Sequence, residues 1–290
     1  RRRRPSGPIP AAMAPEDTST TEDSRCRAEM ALVRATSRPM SRRPSGLVSE
    51  LDPTLTTRRR AMATADLGTV DQSTAARHTL DVMTIWDDIA AERRANADVL
   101  DTLTAEQWTV PSLCGEWTVR ALAGHMVVPF TTTTAKFGLA MLRARGNFDK
   151  ANDALACKQA RRPTAELAQL LRANAESHFT PPGSGPLAPL TDTLIHGQDL
   201  RMPLGIEDRR PVERWAQSLA FLVTPTAQRG FVPTSLPAIR LEADDVDLAH
   251  GEGPLVTGPA WALSMALTLR PAALPHLRGP GLSNLTAWIG

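Results

Sequence analysis

No CxxC pair occurs in this chain. Its three cysteines, Cys26, Cys114 and Cys157, are odd in number and far apart. That argues against a structural cysteine-zinc site and against a disulfide framework, and makes a reducing cytoplasm the simplest setting. No apolar run approaches the roughly 20 residues of a membrane span, so no membrane partner is expected. Charge of one sign is also lacking: the formal net is +2. That total conceals an asymmetry, because residues 1–62 carry 13 Arg and 7 acids while the remainder carries 20 basic and 24 acidic residues. A mildly acidic body gives no reason to expect nucleic acid as partner.

The chain is long enough to bury a sizeable core in one or two domains. Residues 1–74 read as a disordered basic tail, rich in Arg, Pro, Ser and Thr and without apolar periodicity. Such a segment cannot bury enough apolar area to offset its ordering entropy. "RRRRPSGPIP" is not followed by the apolar region of a secretory or twin-arginine signal. A basic arm for nucleic acid or membrane is the lesser reading. "MATADLGTV" at Met62 offers a natural alternative start.

From about Ala75 the pattern becomes helical. Leu80, Met83, Trp86, Ile89, Ala90 and Leu100 recur near helical spacing. After the loop "TAEQWTVPSLCGEW", Thr118 can cap a long second helix that Pro129 kinks and Gly146 ends. A third helical region runs from about Asp149 to Phe179, broken near Pro163, which suits a first helical position. A fourth covers about Leu187 to Met202. Four helices with short connections predict a four-helix bundle over 75–208. Beyond it, "RPVERWAQSLAFLV" reads as a helix and "AIRLEADDVDLAHG" alternates like strands of a small sheet. "GPLVTGPAWALSMALTLRPAALPHL" reads as strand, turn and helix. The expected fold class is therefore α with a small α+β domain, the latter at 209–290.

One stretch carries chemistry. In "TDTLIHGQDLR" an acid, Asp192, precedes a histidine, His196, by four residues, with Asp199 one turn on. On a helix, i and i+4 lie about 6 Å apart, close enough to grip one ion. The spacing alone is a weak signal, because 31 of 290 residues are acidic and there are six histidines. A chance pair of this kind is about an even bet. The polar trio spans about 60° and lies opposite Leu187, Leu190 and Leu194, as a solvated stripe would. Ile195 and Leu200 flank that stripe, however, so apolar groups surround the helix. An enclosed Asp–His pair needs a partner. His125, two turns into the second helix, is the best-placed third ligand, against the plainer reading of a hydrogen-bonded core histidine. In "SLCGEW" no basic residue activates Cys114, which reads as structural and buried.

"WTVPSLCGEWTVRALAGHM", Trp108 to Met126, resembles the signature of the mycothiol-dependent maleylpyruvate isomerase family within the wider DinB-like metalloproteins. "DTLIHGQDLRMPLG" resembles that family's second signature. The C-terminal "LVTGPAWALSMALTLRPAALPHLRGPGLSNLTAW" resembles its small sterol-carrier-like domain. The resemblance implies a metal held by His125, Asp192 and His196, with zinc as the ion and mycothiol as thiol cosubstrate. In the isomerases the acid is more often Glu; Asp192 is one methylene shorter, which can shift the metal or mark another substrate. The isomerases also use an arginine of the C-terminal domain, for which Arg240 and Arg270 are both candidates.

Two histidines and a carboxylate without a fourth protein ligand describe an open catalytic zinc site, where an entering thiol becomes a thiolate. Addition of that thiolate to a small electrophile permits cis–trans isomerisation or S-transfer. Asp199 is a candidate to hold the non-ligating nitrogen of a ligand histidine. Trp117 and Trp108 are candidates to wall the cavity. The expected enzyme works as a monomer or homodimer on a small electrophile and a low-molecular-weight thiol. The alternative is a non-catalytic module that binds a metal or an apolar ligand.

Overall fold

A computed structural model of the protein describes residues 72–181 and 183–290, with residues 72–84 described by backbone alone. The basic tail up to residue 71, Cys26 and the alternative start at Met62 lie outside the described residues, whereas residues 72–74, expected in that tail, are already helical. Helix α1, Gln72–Thr102, opens the bundle. Its Ile85, Ile89, Glu92, Arg93, Asn96, Ala97 and Leu100 are all buried, at spacings of three and four.

The long second helix expected from Val119 to Gly146 is three helices instead. They are α2 (Val119–Met126), α3 (Val128–Thr131) and α4 (Thr134–Arg143). Pro129 sits in the first turn of α3, where its missing N–H breaks the ladder from α2. Thr132 and Thr133 are then extended, and the Thr133 hydroxyl caps α4 by accepting from the Lys136 N–H at 3.3 Å. No residue of α4 is buried, so nothing in its packing holds it in line with α2. The third region is likewise divided, into α5 (Phe148–Ala160) and α6 (Thr164–Ala173). Pro163 is the cap residue before α6 rather than its first helical residue.

Helix α7, Leu187–Arg201, is the centre of the molecule. Every one of its residues is buried except Leu187 and Asp192. That settles the ambiguity of the polar stripe in favour of enclosure. One apolar core joins Ile85 and Ile89 of α1 and Leu190, Leu194 and Ile195 of α7 to the C-terminal part. There it continues through Trp215, Leu219 and Leu222 of α8 (Val212–Leu222) and Leu263 and Met265 of α9 (Ala260–Leu267). A second core gathers Leu100, Trp108, Trp117, Val119, Leu122, Leu167, Leu171 and Leu200.

The C-terminal part carries a three-stranded sheet in the order β2-β1-β3, from β1 (Arg240–Ala243), β2 (Ala249–His250) and β3 (Leu255–Gly258). β1 pairs antiparallel with β2 and parallel with β3, Leu241 standing opposite Val256. Along β1 exposed and buried residues alternate, as a sheet with one face on a core requires. The chain ends in α10, Leu282–Ile289. The architecture is thus a helical bundle with a small α+β part. Among the described residues no helix is long and apolar enough to cross a membrane.

Candidate metal centre

The loop before α2 and the helix itself deliver the first side chain. Thr118 caps α2, its hydroxyl accepting from the Ala121 N–H at 3.3 Å. The loop ahead of it is a compact turn. Ser112 Oγ donates to the Trp117 carbonyl at 2.7 Å, and Gly115 takes a φ of +58° that favours glycine. Leu113 N–H donates to the Asp199 carbonyl at 3.2 Å, fastening this turn to α7. His125 then falls in the last turn of α2. Close packing places its partner: a Cβ on Gly124 would lie 2.4 Å from the Ala156 carbonyl oxygen, so α2 and α5 touch backbone to backbone. Across that contact His125 Nδ1 meets Asn152 Oδ1 at 3.1 Å.

Helix α7 supplies the rest. His196 Nε2 lies 3.4 Å from Asp192 Oδ1, and its Nδ1 lies 3.0 Å from Asp199 Oδ2. The rings of His125 and His196 meet edge to face, with centroids 4.8 Å apart. One donor atom from each of His125, Asp192 and His196 lies within 4.8 Å of the other two. Donors about 2 Å from a shared ion stand at most about 4 Å apart. A side-chain adjustment of under about 1 Å covers the difference.

The donor chemistry fits a metal. Both Nδ1 atoms face oxygen acceptors, so each imidazole keeps its proton there and turns Nε2 into the cluster. Asp192 adds a carboxylate and leaves 41% of its side chain accessible, so the trio opens towards solvent. Two imidazoles and one carboxylate are a borderline donor set of the zinc type with an open position. A second trio, Cys114, His196 and Asp199, is equally tight. Its carboxylate is already saturated by Arg270, whose Nε donates to Oδ1 at 3.0 Å and Nη2 to Oδ2 at 2.6 Å. With both oxygens engaged by a guanidinium and Oδ2 also by His196, Asp199 is the poorer donor, so the first trio is the better candidate to hold an ion.

Electrostatics separate the two histidines. Burial, reinforced by neighbouring His196, lowers the His125 pKa to about 4. Burial pushes His196 down as well, but Asp192, Cys114 and Asp199 together raise it well above its ordinary value. Partial desolvation opposes the charge on Asp192, yet His196, His125 and Arg93 bring it down to about 2. Asp199 is lowered against its own burial chiefly by Arg270. When His196 is protonated, its Nε2–H faces Asp192 and occupies the place an ion would take.

The other sequence candidates divide. Trp117 is at the site: its ring lies 4.8 Å from that of His125, and its Nε1 donates to Asp153 Oδ1 at 2.9 Å. Trp108 is buried in the second core, and no ring contact joins it to His125 or His196. Arg270 reaches the cluster through Asp199, whereas Arg240 lies on the exposed side of β1 and pairs with Glu242 at 3.3 Å. Cys114 is half-exposed rather than buried, and stands beside His196 and Asp199. Asn152 and Asp153 gave no sequence signal, because on a polar helix they look like any solvated pair.

Residues 89–201 match the family model of the mycothiol maleylpyruvate isomerase N-terminal domain. That segment of the bundle is similar to the family's N-terminal domain. No curated protein and no solved structure matches the chain. The match contains His125, Asp192, His196 and Asp199, and it stops at Arg201, the last residue of α7. The matched segment therefore holds the whole donor trio. Arg270 and the α+β part lie beyond the match.

Proposed function

We propose that the protein is a metal-dependent enzyme that uses mycothiol as cosubstrate to attack a small electrophile. The observation that carries the reading is the convergence of His125 with Asp192 and His196 inside the segment that matches this family's model. His125, Asp192 and His196 are the proposed ligands. A zinc-type ion bound there would lower the pKa of a thiol at its open position, supplying a thiolate at neutral pH.

The chain's own residues then do the remaining work. Asp199 accepts the His196 Nδ1 proton and so orients that ring towards Asp192. Asn152 does the same for His125. Trp117, held by Asp153, forms an apolar wall that keeps water from one side of the trio. The accessible face of Asp192 is the side on which thiol and electrophile enter. Addition of the cosubstrate sulfur to an unsaturated carbon, bond rotation and loss of the same sulfur give cis–trans isomerisation. Retention of the sulfur gives S-transfer.

The test has two parts. Purified protein is expected to carry stoichiometric zinc that His196→Ala loses, and then to turn over maleylpyruvate or another cis-unsaturated acid only with mycothiol present. Zinc in neither protein sinks the metal reading. Zinc without thiol-dependent turnover favours the second reading, a non-catalytic metal-binding module.

A further inference from the structure

We infer that Arg270 is a positioning residue for the metal site, acting through Asp199 on His196, and that the α+β part is thereby a structural component of the centre. This inference rests on the metal reading above. Asp199 has no accessible side-chain surface, and both its oxygens are taken by the two-pronged contact from Arg270. One of those oxygens, Oδ2, also receives the His196 Nδ1 proton at 3.0 Å. The guanidinium therefore fixes the plane of the carboxylate, and the carboxylate fixes the ring whose Nε2 faces Asp192. Arg270 is itself held, since its Nη1 donates to the Thr268 carbonyl at 2.5 Å. Three of its five N–H groups are thus committed within the protein.

The backbone that delivers Arg270 is built for this. After α9 the Leu269 N–H donates to Ala266 O at 3.1 Å and the Arg270 N–H to Met265 O at 2.9 Å. This is the Schellman closure of a helix, in which glycine normally takes the left-handed position. Here a leucine holds it, with a φ of +62°, one of two non-glycine residues of positive φ among those described. A strained leucine persists only where its surroundings over-determine it. Leu269 packs against the core shared by α7 and the C-terminal part, which anchors the turn and aims the next side chain at Asp199.

Charge and geometry can be separated by experiment. Arg270→Lys keeps the positive charge and its repulsion of an ion, but removes the fork. Zinc affinity, read by competition with a chromophoric chelator, is expected to fall by roughly 10- to 100-fold, the usual effect of losing a partner behind a ligand histidine. Asp199→Asn is expected to fall similarly, and the double variant to lose far less than the product of the two, because both cut one relay. In the proton NMR spectrum the His196 Nδ1–H resonance is expected to lose its exchange protection in each. Zinc affinity within twofold of wild type in folded Arg270→Lys and in Asp199→Asn, with only kcat reduced, overturns the inference and makes Arg270 a substrate contact. A wild-type protein that binds no zinc defeats the underlying metal reading instead. Thermal melts identify a variant that has not folded, and the remaining one then decides.

Discussion

His125 and His196 are the same side chain in ring contact, yet their surroundings drive them in opposite directions. Without an ion and at neutral pH, His125 is neutral while His196 carries a proton held by Asp192 and Asp199. An ion on Nε2 must displace that proton, so binding is expected to release close to one proton. Asp192 at about 2 and His125 at about 4 have none to give. Calorimetry in two buffers of different ionisation enthalpy reads the number; release of none, or of two, contradicts the assignment. In the same range zinc affinity should rise about tenfold per pH unit until the folded value of His196 is passed. For the metal-free fold, protonated His196 stabilises fully below its unfolded value of 6.5, and that contribution is lost as pH rises through the raised folded value. Cys114 supplies a separate check. With Asp199 saturated by Arg270, Cys114→Ser is expected to bind metal as wild type does, and the cobalt form of the wild type to lack a sulfur-to-metal charge-transfer band. Of these residues, Asp192 and His196 were legible as a spacing, and His125 by its position in the bundle. The choice of Arg270 over Arg240 was not legible, because it depends on where a turn outside the bundle crosses α7.

At the scale of elements, the contact between α2 and α5 decides whether His125 reaches its partner. Gly124→Ala would set a methyl group against the Ala156 carbonyl and the Ala160 N–H, both backbone and unable to yield. The helices must separate, at a cost of about 1–3 kcal/mol by analogy with overpacked cores. Urea denaturation reads that loss, and zinc affinity should fall with it as His125 withdraws from Asn152. The helical pattern from Val119 to Gly146 was visible in the sequence, but its division was not. Pro129 marks a break, whereas the length of the break follows from α4 having no residue in a core. The enclosure of α7 was readable from Ile195 and Leu200, because residues on both flanks of a polar stripe leave no face for solvent.

For the whole molecule, the expected boundary near residue 208 divides the chain in sequence but not in its core. Leu190, Leu194 and Ile195 pack with Trp215, Leu219 and Met265 in one cluster. Ion pairs and a hydrogen bond cross the same line: Arg214 reaches Asp88 and Glu92 of α1 at 2.7 Å each, and Arg210 donates to the Leu194 carbonyl at 2.7 Å. A chain ending at residue 208 is therefore expected to bind a hydrophobic dye and to lack a sharp melting transition. The full chain is expected to melt in one cooperative step. Independent melting of the two parts would show that the shared core contributes little. The sequence marked the change of pattern near Pro211 without marking that the two patterns share an interior, since residues that pack inside one domain and between two have the same composition.

Helix α7 leaves Asp192 as its one polar residue that is not buried. Traffic follows from that. Under the proposed function, an ion leaving past this helix, a chelator arriving to take it and a thiol seeking the open position would all pass the side chain of Asp192. Exchange at the centre should then be governed by queueing rather than by affinity alone. A compact chelator is expected to strip the ion faster than a bulky one of equal strength, and a bound thiol to slow both.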